Sequence, residues 1–150
     1  MKKSLLIAFL LVVLSAGAFA GTTYDGSKER KASSYVLTKF ADEYKGATDV
    51  TWEITSKFQK VTFKLDGVQT STFYNWQDER IAATQKFEFE KLSPTALKNI
   101  VKNFGGYNVG EVIKYMSDET VYFVNLKNEK ESFVIKVDSY DNASFFKRLK

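Results

Sequence analysis

The chain of 150 residues contains no cysteine and no histidine, and it has a single proline. Without histidine the usual general base near neutral pH is missing, and without cysteine the thiol nucleophile is missing. The commonest zinc ligands are absent for the same reason. These absences exclude histidine-dependent serine triads, cysteine enzymes and ordinary zinc sites. We therefore predict a protein that is not an enzyme and has no catalytic residue, no metal site and no cofactor.

Long apolar runs are missing after residue 20, where every apolar cluster is soon broken by Lys, Asp, Glu or Asn. Before that point, Lys2 and Lys3 precede an unbroken apolar run over residues 5–14, and residues 18–20 (Ala-Phe-Ala) suit a cleavage site. A run of about ten residues is shorter than the roughly 20 that a spanning helix needs. This pattern predicts a cleavable signal peptide over residues 1–20. We expect a periplasmic or secreted protein with no stable membrane insertion after cleavage.

A strong charge of one sign is also lacking. The chain has 22 basic and 18 acidic residues, and loss of Lys2 and Lys3 with the signal peptide lowers the net charge from +4 to +2. The basic residues are interspersed with acids, as in residues 127–131. A nucleic-acid-binding surface needs a concentrated basic patch. We therefore predict no nucleic-acid partner.

After the signal peptide, residues 21–34 are small, polar and charged, which predicts a flexible leader. Apolar residues at helical spacing then begin at Tyr35, and Gly46 can close this first helix. A second helix is predicted from the N-cap Ser93 and the following Pro94, and it stops before Gly105-Gly106.

The two helices match each other at a constant shift of 60 residues, which pairs Ser33 with Ser93 and Gly46 with Gly106. A shift of 61 aligns the alternating strand at 61–65 with that at 122–126. Strands are predicted near 50–55, 59–65, 70–76, 80–89, 110–116, 120–126, 131–137 and 143–149. This organisation predicts an α+β domain over residues 35–150, made of two tandem helix-plus-four-strand repeats at about 35–90 and 91–150. The strands form an antiparallel sheet with the helices on one face.

The spaced apolar residues resemble a known family. They include Phe40 with Trp52, the strand at 61–65, the helix start at 92–94, and the strands at 122–126 and 133–137. This pattern resembles exported PepSY-like proteins with the beta-lactamase-inhibitor-protein-like fold. The resemblance implies one curved sheet and a protein-binding or inhibitor-like role rather than catalysis. Two turns, at 75–79 and 140–142, lack the glycine that the pattern would place there.

One pair of carboxylates has a spacing that an enzyme could use. Glu88 and Glu90 flank Phe89, and in a strand both carboxylates would point to one face roughly 6–7 Å apart. A glycosidase pair can use that distance. The simpler interpretation is that Phe87 and Phe89 are buried and the glutamates face solvent.

Four candidate partner contacts follow from the aromatic surplus of two Trp, eight Tyr and 13 Phe. Val121 and Phe123 make the strand at 120–126 apolar on both faces, so either the chain covers that second face or a partner contacts it. Trp76 and Tyr140 lie beside two corresponding turns. Phe133 and Ile135 could share the face of Phe123, because Val134 suits the core equally well.

The predicted function is therefore a non-catalytic binding module that contacts an exported or envelope protein through the open face of its sheet. The alternative is a structural, self-associating envelope protein, which includes a weak homodimer through the same face. A carboxylate enzyme ranks third.

Overall fold

The computed structural model describes residues 31–149. The predicted signal peptide at 1–20, its cleavage site and most of the predicted leader lie outside these residues. Neither α-helix of the described chain has the length and apolar character that membrane crossing requires.

Helix α1 spans Ser34–Glu43 and begins where the serine pattern predicts. The Oγ of its N-cap, Ser33, accepts a hydrogen bond of 3.1 Å from the backbone N–H of Val36. Gly46 follows the helix with φ 86°, a left-handed conformation that glycine adopts without steric cost.

Helix α2 spans Pro94–Phe104. The Oγ of its N-cap, Ser93, accepts a hydrogen bond of 3.0 Å from the backbone N–H of Ala96. Gly106 has φ 91°. The predicted serine caps and left-handed glycines are confirmed at both helices, and the predicted proline is confirmed at the first position of α2.

Eight strands form one sheet, in chain order, and each is antiparallel to its neighbours. The strands are β1 (Thr48–Ile54), β2 (Gln59–Leu65), β3 (Val68–Tyr74), β4 (Arg80–Phe87), β5 (Asn108–Met116), β6 (Thr120–Lys127), β7 (Ser132–Val137) and β8 (Ala143–Leu149). The predicted bounds are confirmed for β2 and β8, and the other predicted strand ends differ by at most two residues. A short 3₁₀ helix at Phe89–Lys91 links β4 to α2.

Both helices cover the same face of the sheet. Side chains of residues that pair across neighbouring strands point to the same face of the sheet. A row of such paired residues runs from Phe63 in β2 through Gln85 and Tyr122 to Val137 in β7. Phe63 packs with α1 and Val137 packs with α2. We call this side the helix face. The prediction of helices on one face of an antiparallel sheet is confirmed.

The opposite side, which we call the open face, carries apolar clusters that contain no helical residue. One is made of Val121, Phe123 and Val134, with Tyr115 and Phe146 packed against it. The other surrounds Phe58, Phe73 and Ala82 and also reaches Tyr115. Side chains of neighbouring strands therefore bury one another here, as happens when a twisted sheet coils toward one face.

The open question about β7 is resolved by these clusters. Phe133 and Ile135 pack on the helix face with α2, and Val134 packs on the open face with Phe123. β7 therefore buries apolar side chains on both faces, with Val134 alone on the open face, and this run of three apolar residues is why alternation could not orient the strand.

The two turns that lack glycine use aspartate in its place. Asp78 has φ 62° and Asp141 has φ 65°. Aspartate tolerates this left-handed region better than most non-glycine residues. The missing glycines therefore do not alter the predicted hairpins.

Candidate functional site

Four turns lie along one edge of the sheet because the strands run alternately up and down in chain order. They connect β1 to β2, β3 to β4, β5 to β6 and β7 to β8, at residues 55–58, 75–79, 117–119 and 138–142. We call this border the turn edge. The indole Nε1 of Trp76 donates a hydrogen bond of 3.1 Å to the backbone carbonyl of Ser56 and so joins the first two turns.

The turn at 75–79 is held by its own hydrogen bonds. The side-chain Oδ1 of Asn75 accepts from the backbone N–H groups of Gln77 and Glu79, each at 2.9 Å. The backbone N–H of Asn75 donates to the carbonyl of Glu79 at 2.9 Å, and that of Asp78 donates to the carbonyl of Asn75 at 3.2 Å. These bonds give the backbone beside Trp76 a defined geometry.

The turn at 138–142 has the same pattern with an aspartate in the first position. Oδ1 of Asp138 accepts from the backbone N–H groups of Tyr140 and Asn142, each at 2.9 Å. These bonds, with that from Asn142 contributing most, hold the pKa of Asp138 below its usual value. The turn is also tied to α2, because the side-chain amide of Asn99 donates to the backbone carbonyl of Asp141 at 2.9 Å.

Both aromatic rings of these turns face solvent. Tyr140 is 83% exposed and Trp76 is 40% exposed. The two turns are separated by four strand spacings, or about 19 Å across a flat sheet. The structure therefore brings two of the four predicted contact residues to one edge of the molecule.

The other two predicted contact residues lie elsewhere. Val121 and Phe123 belong to the open-face cluster and are only 5% and 6% exposed. The ring of Phe146 lies 4.8 Å from that of Phe123, and Tyr115 lies 6.2 Å from it. Val121 and Phe123 are therefore covered by the chain's own side chains and are not left open for a partner.

One exposed ring at the turn edge was missed in the sequence. Tyr35, at the start of α1, is 62% exposed. It lines a shallow, open depression of about 510 Å³ with Lys39 and residues 77–80. The sequence gives no direct signal for this position, because the contact between the cap of α1 and Asp78 joins residues 45 positions apart.

Glu88 and Glu90 do not form the predicted strand pair. β4 ends at Phe87, and Glu90 lies in the 3₁₀ helix that follows. Glu88 instead forms an ion pair with Lys91, with 2.8 Å between Nζ and Oε1. The strand-based argument for a catalytic carboxylate pair was therefore wrong. Within residues 31–149 no group of three or more acidic side chains is arranged to hold a metal ion.

No protein-family model and no curated protein matches the chain by sequence. Solved structures match it by fold. A DUF2874 family protein from Bacteroides uniformis has a TM-score of 0.69 at 14% identity, with 79% of this chain and 89% of that chain covered. A candidate periplasmic protein from Bacteroides eggerthii has a TM-score of 0.72 at 10% identity, with coverages of 79% and 90%.

A BLIP-like protein from Bacteroides fragilis has a TM-score of 0.65 at 12% identity, and the match covers 81% of this chain and 87% of that one. Identities this low establish the fold alone. The chain therefore has the BLIP-like fold, named for the beta-lactamase-inhibitor protein.

Proposed function

We propose that this protein is an exported, non-catalytic binding module that contacts another exported or envelope protein through its turn edge. The BLIP-like and candidate periplasmic neighbours fit a module of this kind. The open face, first predicted as the contact surface, is a poorer candidate because Phe123 and Val121 are buried there.

The main support is the exposure of Trp76 and Tyr140 on turns whose backbones are hydrogen-bonded. Large aromatic side chains dominate the binding energy of many protein interfaces. A turn that is already ordered loses little conformational entropy when it binds. Exposed rings on such turns therefore favour recognition of a protein surface.

The charge of the turn edge indicates the chemistry of the partner. Its four turns hold six carboxylates and one lysine: Asp78, Glu79, Asp118, Glu119, Asp138, Asp141 and Lys57. Complementary charge speeds association and selects between partners. We propose a partner with a basic surface, and we expect salt to slow the association.

We further propose that the chain is PepSY-like and consists of two tandem repeats, at about 35–90 and 91–150. Matching irregularities support this. The β1–β2 register shifts between Thr48 and Thr51, and the β5–β6 register shifts between Val109 and Val112, 61 residues later. The serine N-caps recur 60 residues apart, and left-handed aspartates lie in the two corresponding turns, at Asp78 and Asp141.

The function can be tested by capture from envelope extract with residues 21–150 as bait. The Trp76→Ala/Tyr140→Ala variant should lose proteins that the wild type retains. Val101→Ala is the control, since Val101 is 66% exposed on α2 and belongs to none of the four turns. A captured protein, once purified, should bind the double variant at least tenfold more weakly, about 1.4 kcal/mol. Equal binding by all three baits would refute a contact through the turn edge.

A further inference from the structure

The sheet has two open edges that run along its outermost strands, unlike the turn edge, which runs across the strand ends. β1 and β8 are its first and last strands, and each has a sheet neighbour on one side only. The outer side of an edge strand presents backbone N–H and C=O groups that can pair with another strand. The two edges are therefore potential sites of sheet extension.

The charges of the two edge strands are opposite. β1 contains Asp49 and Glu53 and no basic residue, and β8 contains Lys147 and Arg148 and no acidic residue. Two strands with these charges attract when they lie side by side, whereas two copies of either strand repel. The charge pattern therefore favours pairing of β8 with β1 over pairing of β8 with β8.

The present ion pairs of these residues do not prevent that contact. Asp49 pairs with Lys64 at 2.8 Å, Glu53 with Lys60 at 3.1 Å, and Arg148 with Glu131 at 2.8 Å. The side chains of Asp49, Glu53 and Arg148 remain 65%, 49% and 71% exposed. Exposed ion pairs contribute little stability and rearrange readily. Lys147 has no ion pair within 4.0 Å in the described chain.

A junction of the same kind already exists inside the molecule. β4 pairs antiparallel with β5 from Ala83↔Met116 to Phe87↔Val112, and an ion pair of 3.3 Å joins Lys86 to Glu111 beside it. The residues of β5 that pair with β4, at 112–116, come after the register shift between Val109 and Val112. In β1 the corresponding part is residues 51–54, which follow the shift between Thr48 and Thr51.

Each edge also exposes an apolar side chain. Phe145 of β8 is 57% exposed, and its ring lies 5.7 Å from that of Phe133 on the helix face. Val50 of β1 is 42% exposed. Burial of such groups would add a hydrophobic contribution to the backbone pairing.

We propose that β8 of one copy of this chain pairs antiparallel with β1 of a second copy and so extends the sheet from molecule to molecule. The contact joins two different surfaces, so it is heterologous and produces a ring or an open chain of copies. It leaves the turn edge free and does not depend on the binding function proposed above.

The test uses light scattering after size exclusion over about a hundredfold range of concentration. The wild type should form dimers and higher species as concentration rises, and salt should weaken them. Lys147→Glu/Arg148→Glu and Asp49→Lys/Glu53→Lys should each be monomeric, because each makes both edges alike in charge. An equimolar mixture of the two variants should associate, since every β8–β1 contact between them again joins opposite charges.

The matched control is Lys98→Glu/Lys102→Glu on α2, which changes the net charge as the β8 variant does and should associate like the wild type. Circular dichroism and urea unfolding establish that each variant is folded. A wild type that stays monomeric throughout, or a mixture that fails to associate, would overturn the proposal.

Cross-linking distinguishes this contact from a symmetric one. The chain has no cysteine, so Thr51→Cys and Ser144→Cys can be introduced on separate copies without competing thiols, and both leave the edge charges in place. Disulfides should form between residue 51 of one copy and residue 144 of the other. Cross-links found only between two copies of Ser144→Cys would show a symmetric β8–β8 dimer and contradict the head-to-tail contact.

Discussion

Gln59 is wholly buried at the start of β2, yet both ends of its side-chain amide are bonded. Its Oε1 accepts from the backbone N–H of Ser33 at 2.8 Å. Its Nε2 donates to the carbonyl of Asn75 at 3.2 Å and to Oδ1 of Asp78 at 3.1 Å. A buried amide is tolerated only when it is paired in this way. Gln59 therefore fixes the start of α1 to the turn that carries Trp76.

We expect Gln59→Leu to lower the free energy of unfolding by about 2 kcal/mol, because three polar groups lose their partner in a buried site. Urea denaturation measures the change. Gln69→Leu is the control, since Gln69 is exposed on β3 of the same sheet and should change stability by less than about 0.5 kcal/mol. Similar losses for the two variants would mean that the amide bonds of Gln59 do not stabilise the fold.

Asp138 makes one turn sensitive to acid. Since its folded-state pKa is lowered, its contribution to stability is fully present above the usual aspartate value of 3.8 and is lost as pH falls through the folded-state pKa. Asn75 occupies the same place in the other turn and accepts the same two backbone bonds without a charge.

We expect Asp138→Asn to keep the turn and to cost at most about 1 kcal/mol at pH 7, because a neutral amide oxygen is a weaker acceptor than a carboxylate. The difference in unfolding free energy between wild type and variant should shrink below pH 3.8. Urea unfolding across the acid range measures it. Two curves that stay parallel down to the lowest pH would contradict this role for Asp138.

At the scale of elements, the two helices begin alike but are attached differently. Ser33 and Ser93 both cap a helix through Oγ, at 3.1 and 3.0 Å. The hydroxyl of Ser33 also donates to Oδ1 of Asp78 at 2.7 Å. The first cap is therefore also a contact to the turn edge.

We expect Ser93→Ala to cost about 1 kcal/mol, the usual value of an N-cap. Ser33→Ala should cost about 2 kcal/mol, because the bond to Asp78 is lost as well. Ser34→Ala is the control, since the exposed Ser34 lies just inside α1, after the cap. Thermal and urea unfolding give the order, and equal costs at Ser33 and Ser93 would deny a stabilising bond to Asp78.

At the scale of the whole molecule, the sheet has apolar clusters on both faces. The helix face is covered by α1 and α2, and the open face is covered by side chains of the strands themselves. Both sides of the sheet therefore bury apolar side chains, and the turn edge proposed as the contact surface belongs to a sheet that is packed on both faces.

We expect Phe123→Ala to lower stability by about 3–4 kcal/mol, because it leaves a cavity between Phe146 and Tyr115. Phe145→Ala is a matched comparison, since Phe145 is 57% exposed and its loss should cost less than about 1 kcal/mol. Urea unfolding of both variants tests the open-face core. A small loss at Phe123 would show that the open face has no core.

The parts of the fold that depend on neighbouring residues were predictable. The N-caps, the proline at the start of α2 and the alternation in β2 are patterns set within a few residues of the chain. The end of β4 was not predictable, because residues 87–89 alternate like a strand. In the structure a 3₁₀ helix begins at Phe89, and the Phe89 side chain packs against the core that includes residues of α2.

For the candidate site, Trp76 and Tyr140 were predicted as contacts because both rings lie beside turns of corresponding hairpins. The structure places both turns at the turn edge, and the contact itself stays a prediction. The sequence also accounts for the absence of histidine and cysteine chemistry. Whether Phe123 faces solvent was decided by residues of other strands, chiefly Phe146 of β8. Alternation assigns a side chain to a face, but the packing of distant strands determines whether that face is open.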